Sequence, residues 1–354
     1  MRRPPPVTEF LAYPVTAGIG LLAIAVTGLD KLGGRSIEGL TMSVEAFWGQ
    51  PWRLVTSALP HGDALHLAFN VYWLWVFGTL VEQVFGHVRA LLLLAIFAAG
   101  SAAAEYAVFE GGIGLSGVGY GLFGLLFILS RRDRRFADAV DGRTAQLFVI
   151  WFFFCIGATA AGLLRIANVA HGVGGVLGLL AGLATAGRRG QSLASMAAMV
   201  GLIGLSIAGS TALRPRINLS SHGGIDSWKL GFQALEEKRF EDAVRHYERA
   251  VAIDADDATG WFNLGIAYSE AGNARAAAKA FERAAAIDPS KEKYRVAADQ
   301  TRCQVLLVMG SDDAPEEEAK RIAECVQMFG SDQVPSFKAG EGVGGGGGDA
   351  GPPP

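Results

Sequence analysis

Seven apolar runs, each long enough to cross a bilayer, follow one another along the first three-fifths of this chain: 11–29, 64–84, 89–109, 114–130, 145–164, 167–186 and 193–213. In hydrocarbon a backbone must satisfy its own N–H and C=O groups, so such runs commit a chain to helices or a closed barrel. Their length, near 20 residues rather than 10, selects helices. Charged residues are scarce up to about residue 215 and dense after it, which divides the 354 residues into a lipid-embedded part and a smaller soluble part. The expected fold class is all-α: a polytopic membrane helix bundle followed by a soluble helical domain. The lipid bilayer is thus its first partner. A net charge of -3 and the lack of a long basic run argue against nucleic acid as another. Cys155, Cys303 and Cys325 show no metal-ligand spacing, and neither a metal nor any other cofactor is expected.

Orientation follows from the short basic loops. Arg131, Arg132, Arg134 and Arg135 follow the fourth run, and Arg188 and Arg189 follow the sixth. Positive charge stays inside, so even-numbered spans end in the cytoplasm. Arg2 and Arg3 agree with this, and residues 1–10, without a small-residue cleavage site, read as a cytoplasmic tail. Lys31, Arg35, Arg53, Arg214 and Arg216 dilute the signal without reversing it. The protein is expected to be multi-pass in the cell membrane. The segment 30–60, with Phe47, Trp48 and Trp52, is expected to rest in the outer interface. A seventh span at 191–215 then places the remaining chain outside the cytoplasm.

From residue 224 the sequence repeats with a period of 34: Leu230-Gly231 matches Leu264-Gly265, Ala243 matches Ala277, Tyr247 matches Phe281, and Ile253-Asp254 matches Ile287-Asp288. This period and these small and aromatic positions resemble the tetratricopeptide repeat, with Pro289 where a closing proline belongs. The first copy departs from the pattern at Ala234 and Ala255. Two repeats, 224–257 and 258–291, would leave an apolar face uncovered. Helices near 291–309 and 315–329 are expected to cap them, giving a domain over 224–333. Cys303 and Cys325 fall on these capping helices, either paired or as buried thiols. The Gly- and Pro-rich tail 338–354 is expected to be disordered. A peptide or protein is the expected partner of the repeats.

Polar residues in a bilayer are costly, so each one is a functional suspect. His61 stands just before the second run, and His66 and Asn70 share one face of it, four residues apart. The fourth run opens with Gly114-Leu115-Ser116-Gly117 and carries Tyr120; the sixth opens with Asn168 and His171. In the orientation above, these three runs all enter from the outside, so His66, Ser116 and His171 lie at matching depth. Gly174, Gly178 and Gly182 continue the face of His171, and Gly117, Gly121 and Gly124 that of Ser116. Helices faced with glycine pack with their backbones nearly touching, which would bring His171 within reach of Ser116. Glu82 reads as a buried structural hydrogen-bond partner, Glu105 and Glu110 as solvated near an outer helix end, and Trp73 and Trp75 as packing or belt residues. His61 is either a support for the loop or a member of the site.

These motifs, in this order, resemble the rhomboids, a family of intramembrane serine proteases. Trp52-Arg53 matches the family's first loop, His61-x4-His66-x3-Asn70 its second span, Gly114-x-Ser116-Gly117 with Tyr120 its fourth, and Ala170-His171-x2-Gly174 its sixth. The resemblance implies a rhomboid-like six-helix core over 11–190 plus one C-terminal span. It implies Ser116 as nucleophile and His171 as general base, with Tyr120 stacked on the imidazole. The side chains of His66 and Asn70, with the Ser116 N–H, would face the oxyanion. Single-span membrane proteins whose outer segment unwinds easily are the implied substrates. The alternative is a non-catalytic membrane-tethered scaffold, against which the intact Ser116 and His171 argue.

Overall fold

A computed structural model describes residues 3–33, 37–220, 223–309 and 316–329, which form two units, Met1–Ser221 and His222–Pro354. The described residues are helical, with no strand among them. Arg2 and the tail 338–354 lie outside the described residues.

In the first unit, α1 (Pro14–Gly33), α2 (Ala64–Phe85), α3 (His87–Val108), α5 (Gly142–Ala160), α6 (Asn168–Ala186) and α7 (Arg189–Ser210) are long and apolar enough to cross a membrane. The fourth expected span, 114–130, corresponds to α4 (Ser116–Arg132), at 17 residues the shortest of the set and enclosed by the others. Its Leu122, Leu125, Leu126 and Leu129 are fully buried. The chain is thus an integral multi-pass membrane protein. Apolar side chains on α5 such as Ile150, Phe153 and Phe154 point outward, as suits a surface solvated by lipid.

Two buried carboxylates organise the bundle. Glu82, near the end of α2, accepts from the N–H groups of Val15 (2.9 Å) and Thr16 (2.8 Å) and from the Thr16 hydroxyl (2.6 Å). It thereby caps the start of α1 and also holds His87 Nδ1 at 2.7 Å, as its expected structural role requires. Glu105, near the end of α3, does the same for α6, where its Oε2 accepts from the Ala170 N–H at 2.9 Å. The expectation that Glu105 is solvated is therefore wrong: it is 3% exposed. The orphan N–H groups of a helix start attract a carboxylate even inside a bundle.

After α7 the chain is pinned to the end of α3. The Ser210 hydroxyl donates to the Ala103 carbonyl (2.6 Å), the Leu219 N–H to Val108 (2.7 Å), and Arg214 to Phe109 (2.8 Å). The Arg214 guanidinium also lies 3.6 Å from the Tyr106 ring centre. This is the bundle end at which α2, α4 and α6 begin.

The second unit stacks α8 (Gly223–Glu236) on α9 (Phe240–Ile253), α10 (Ala258–Glu270) on α11 (Ala274–Ile287), then α12 (Glu292–Met309) and α13 (Glu316–Phe329). Tyr247 packs its ring over Gly231, and Phe281 its ring over Gly265, one repeat later. Phe262 and Tyr294 join the second repeat to α12, ring centres 4.8 Å apart. The two cysteines left open by the sequence form a disulfide, Cys303–Cys325, tying α12 to α13.

Candidate active site

Ser116 is the first residue of α4 and His171 the fourth of α6. The two helices meet along glycine: a β-carbon at Gly174 would collide with the Gly117 carbonyl, and one at Gly178 with the Gly121 carbonyl. Only at that separation does His171 Nε2 stand 2.8 Å from Ser116 Oγ. The imidazole is 4% exposed, and Tyr120 stacks on it with ring centres 4.8 Å apart and planes 25° apart. The Tyr120 hydroxyl is itself held by donating to the Phe148 carbonyl at 3.2 Å. His171 Nδ1 is buried without a hydrogen-bond partner, so the ring's contacts here are the Ser116 hydroxyl and the Tyr120 ring, with no carboxylate on it.

The approach to Ser116 is shaped by Gly114, whose φ of 106° lies in the left-handed region that side chains disfavour. Its missing side chain also leaves room for His66, since a β-carbon there would come within 2.8 Å of the His66 ring. His66 meets the His61 ring edge-on at 4.8 Å. Asn70 is buried, and its Nδ2 donates to the His66 carbonyl at 2.9 Å, which leaves the second amide hydrogen uncommitted by that bond. His61 proves to be a loop support. The Leu115 N–H donates to its Nε2 at 3.2 Å, so Nδ1 carries the proton and faces the Leu59 carbonyl at 2.9 Å. Burial first, and the neighbouring His66 second, hold its pKa down to about 4, which keeps the ring neutral.

The structure therefore brings Ser116, His171 and Tyr120 into contact and sets His66 against Gly114. The sequence reading missed Glu105. Its only signal was an acidic residue at the end of a span, which water explains equally well. A small cavity of about 20 Å³, room for one water, lies between Ser57, Ser101, Glu105 and Ser116. In the second unit an open hollow of about 470 Å³ is floored by Trp261, Leu264 and Tyr268.

Comparison with known proteins finds relatives for both units. Residues 48–188 match the Rhomboid domain family model, and residues 230–302 match the Tetratricopeptide repeat model. The chain is 32% identical over 99 residues to the Rhomboid protease GlpG of Haemophilus influenzae, covering 28% of this chain and 52% of that protein. It is 30% identical over 170 residues to the one of Pectobacterium atrosepticum (46% and 61%) and 31% over 174 residues to that of Serratia proteamaculans (46% and 61%). It thus spans between 52% and 61% of the length of these curated relatives. This chain carries a rhomboid domain and, in the same polypeptide, tetratricopeptide repeats.

Proposed function

We propose that the chain is an intramembrane serine endopeptidase, with Ser116 as nucleophile and His171 as its base. The observation that carries the reading is the 2.8 Å approach of Oγ to Nε2 at the membrane-buried junction of two glycine-faced helices. With its proton on Nδ1, His171 accepts the Ser116 proton at Nε2 as Oγ attacks a substrate carbonyl, then passes it to the leaving amine. The oxyanion meets the Ser116 N–H, which the start of a helix leaves without an intrahelical partner, and the side chains of His66 and Asn70. Hydrolysis of the acyl-enzyme needs one water, for which the cavity beside Ser116 has room.

A substrate helix cannot present a peptide bond while its own hydrogen bonds hold. The fitting substrates are single-span membrane proteins whose segment near the site unwinds readily. Their entry is easiest between α2 and α5, a seam closed by aromatic rings: Phe69 with Trp151 at 5.5 Å on the outside, and Trp73 and Phe77 with Phe148 at 4.8 and 5.6 Å further in.

The site faces away from the cytoplasm in this reading. The basic residues Arg131, Arg132, Arg188 and Arg189 lie at the opposite ends of α4 and α6. The chain leaves the bundle beside the site, and the Cys303–Cys325 disulfide suits an oxidising compartment. The repeats then act outside, where their Trp261-floored hollow accepts a side chain of a peptide or protein partner.

The test is cleavage of a single-span substrate with a glycine-rich outer segment by the purified full chain in liposomes. Ser116→Ala and His171→Ala should each lower kcat by about 1,000-fold or more. Unchanged cleavage by Ser116→Ala would leave only the tethered scaffold.

A further inference from the structure

The helix that carries His171 starts without a cap of its own. Its N-cap position is Ala167, which offers no side-chain acceptor. The His171 N–H is satisfied by the Ala167 carbonyl at 3.2 Å, which leaves the N–H groups of Val169 and Ala170 to be answered from elsewhere. Glu105 answers them from α3, through the 2.9 Å bond to Ala170 and a second bond to Val169. Gly112 keeps this junction tight, since a β-carbon there would meet Ala167 at 2.6 Å.

Glu105 is the last of three α3 residues spaced four apart that touch the two site helices. Phe97 fills the space left by Gly121, and Ser101 that left by Gly117, both on α4; Glu105 holds α6. One face of α3 thus grips the serine helix by packing and the histidine helix by its first turn. His171 has no partner at Nδ1, so its height against Ser116 depends on the axial position of α6.

We propose that Glu105 is a positioning residue of the active site, one that fixes His171 at its reach from Ser116 by capping α6 from a neighbouring helix. The inference rests on the Ser116–His171 reading given above. Reach matters more than charge: the carboxylate must span the gap between α3 and the α6 backbone. Glu105→Asp keeps the charge but falls one methylene short. Glu105→Gln keeps the length and an accepting oxygen but loses the charge.

The experiment compares both variants with the unaltered full chain in liposomes. It measures kcat and KM on the single-span substrate, the rate at which a fluorophosphonate labels Ser116, and the thermal midpoint. Labelling displaces fluoride from phosphorus and consumes no water, so it reads the serine–histidine geometry apart from water supply. Glu105→Asp should lose about tenfold in kcat and in labelling rate, with KM within about twofold. Glu105→Gln should keep at least about a third of both. Three results overturn the proposal: Asp outperforming Gln, kcat falling while labelling does not, or kcat following only the fraction of folded protein. Absence of Ser116 labelling in the unaltered chain would instead strike the proposed function itself.

Discussion

Both units of this protein place glycine where helix meets helix, yet what fills the space differs. Between α4 and α6 the space left by Gly174 and Gly178 is taken by the carbonyls of Gly117 and Gly121, backbone against backbone. In the repeats, the space left by Gly231 and Gly265 is taken by the rings of Tyr247 and Phe281. Lipid tails are as apolar as any side chain, so burial gives membrane helices little reason to associate, and close backbone packing must supply the attraction. In water, covering a fully buried aromatic ring is itself favourable. The same residue therefore sets the distance between serine and histidine in one unit and receives a hydrophobic anchor in the other.

The contrast is broken most severely at Gly178. A β-carbon there would enter the Gly121 carbonyl, and no rotamer change relieves a clash with backbone. Gly178→Leu should separate α4 from α6 and lower both cleavage and Ser116 labelling by about 100-fold or more. The far-ultraviolet signal and melting of the repeats should remain as they were. A Gly178→Leu chain that still cleaves at a tenth of the normal rate would show that the seam does not set the Ser116–His171 distance.

Two smaller changes act on the repeat unit alone. The Cys303–Cys325 bond closes a loop with a sequence separation of 22, so Cys303→Ser should cost the second unit about 3 kcal/mol, read from its denaturant midpoint. Gly265→Ala should cost about 2 kcal/mol, because a β-carbon would stand 2.6 Å from the Phe281 ring, which can tilt to give way. Neither should change Ser116 labelling in the full chain by more than about twofold. A parallel loss of labelling would mean that the two glycine seams are not energetically separate.

Those seams also explain how much of the molecule was legible beforehand. Gly174, Gly178 and Gly182 share a face with His171, as Gly117, Gly121 and Gly124 do with Ser116, so their spacing, together with the matching depth of the two runs, predicts the seam and the contact. Tyr120, four residues past Ser116, follows from the same periodicity together with the resemblance. The period of 34 predicts the repeats, and the apolar face that two repeats leave uncovered predicts the helices that follow them. Glu105 was misread because its role depends on a partner 65 positions away that has no side chain in the bond, the Ala170 N–H. Glu82 also lies near the end of its span, so no local pattern separates the carboxylate that reads correctly as a buried partner from the one that does not. The pairing of Cys303 with Cys325 depended likewise on how α12 and α13 pack, which no local pattern records. The role of His61 depended on the backbone of Leu115, 54 positions on.

The mildest test uses acid. The loop before Ser116 hangs on neutral His61, whereas in the repeats the turn before α11 is held by Asn273, which does not titrate, and the one before α12 by Asp288, whose bonds to Ser290 hold its carboxyl below the usual range. Because His61 binds a proton near pH 4 when docked and near 6.5 when free, lowering the pH through 6.5 favours the undocked loop. The docked contact is fully favoured above pH 6.5, and the penalty stops growing below about pH 4. At pH 5.5 the docked loop should be weakened by about 1.4 kcal/mol, seen as an about tenfold lower hydrogen-exchange protection factor at Leu115, while the repeats keep their neutral-pH protection factors. His61→Gln should remove this acid dependence across the same range. If Leu115 protection in the unaltered chain does not change between pH 7 and pH 5, another group holds the loop, and the difference between the two units does not extend to their turns.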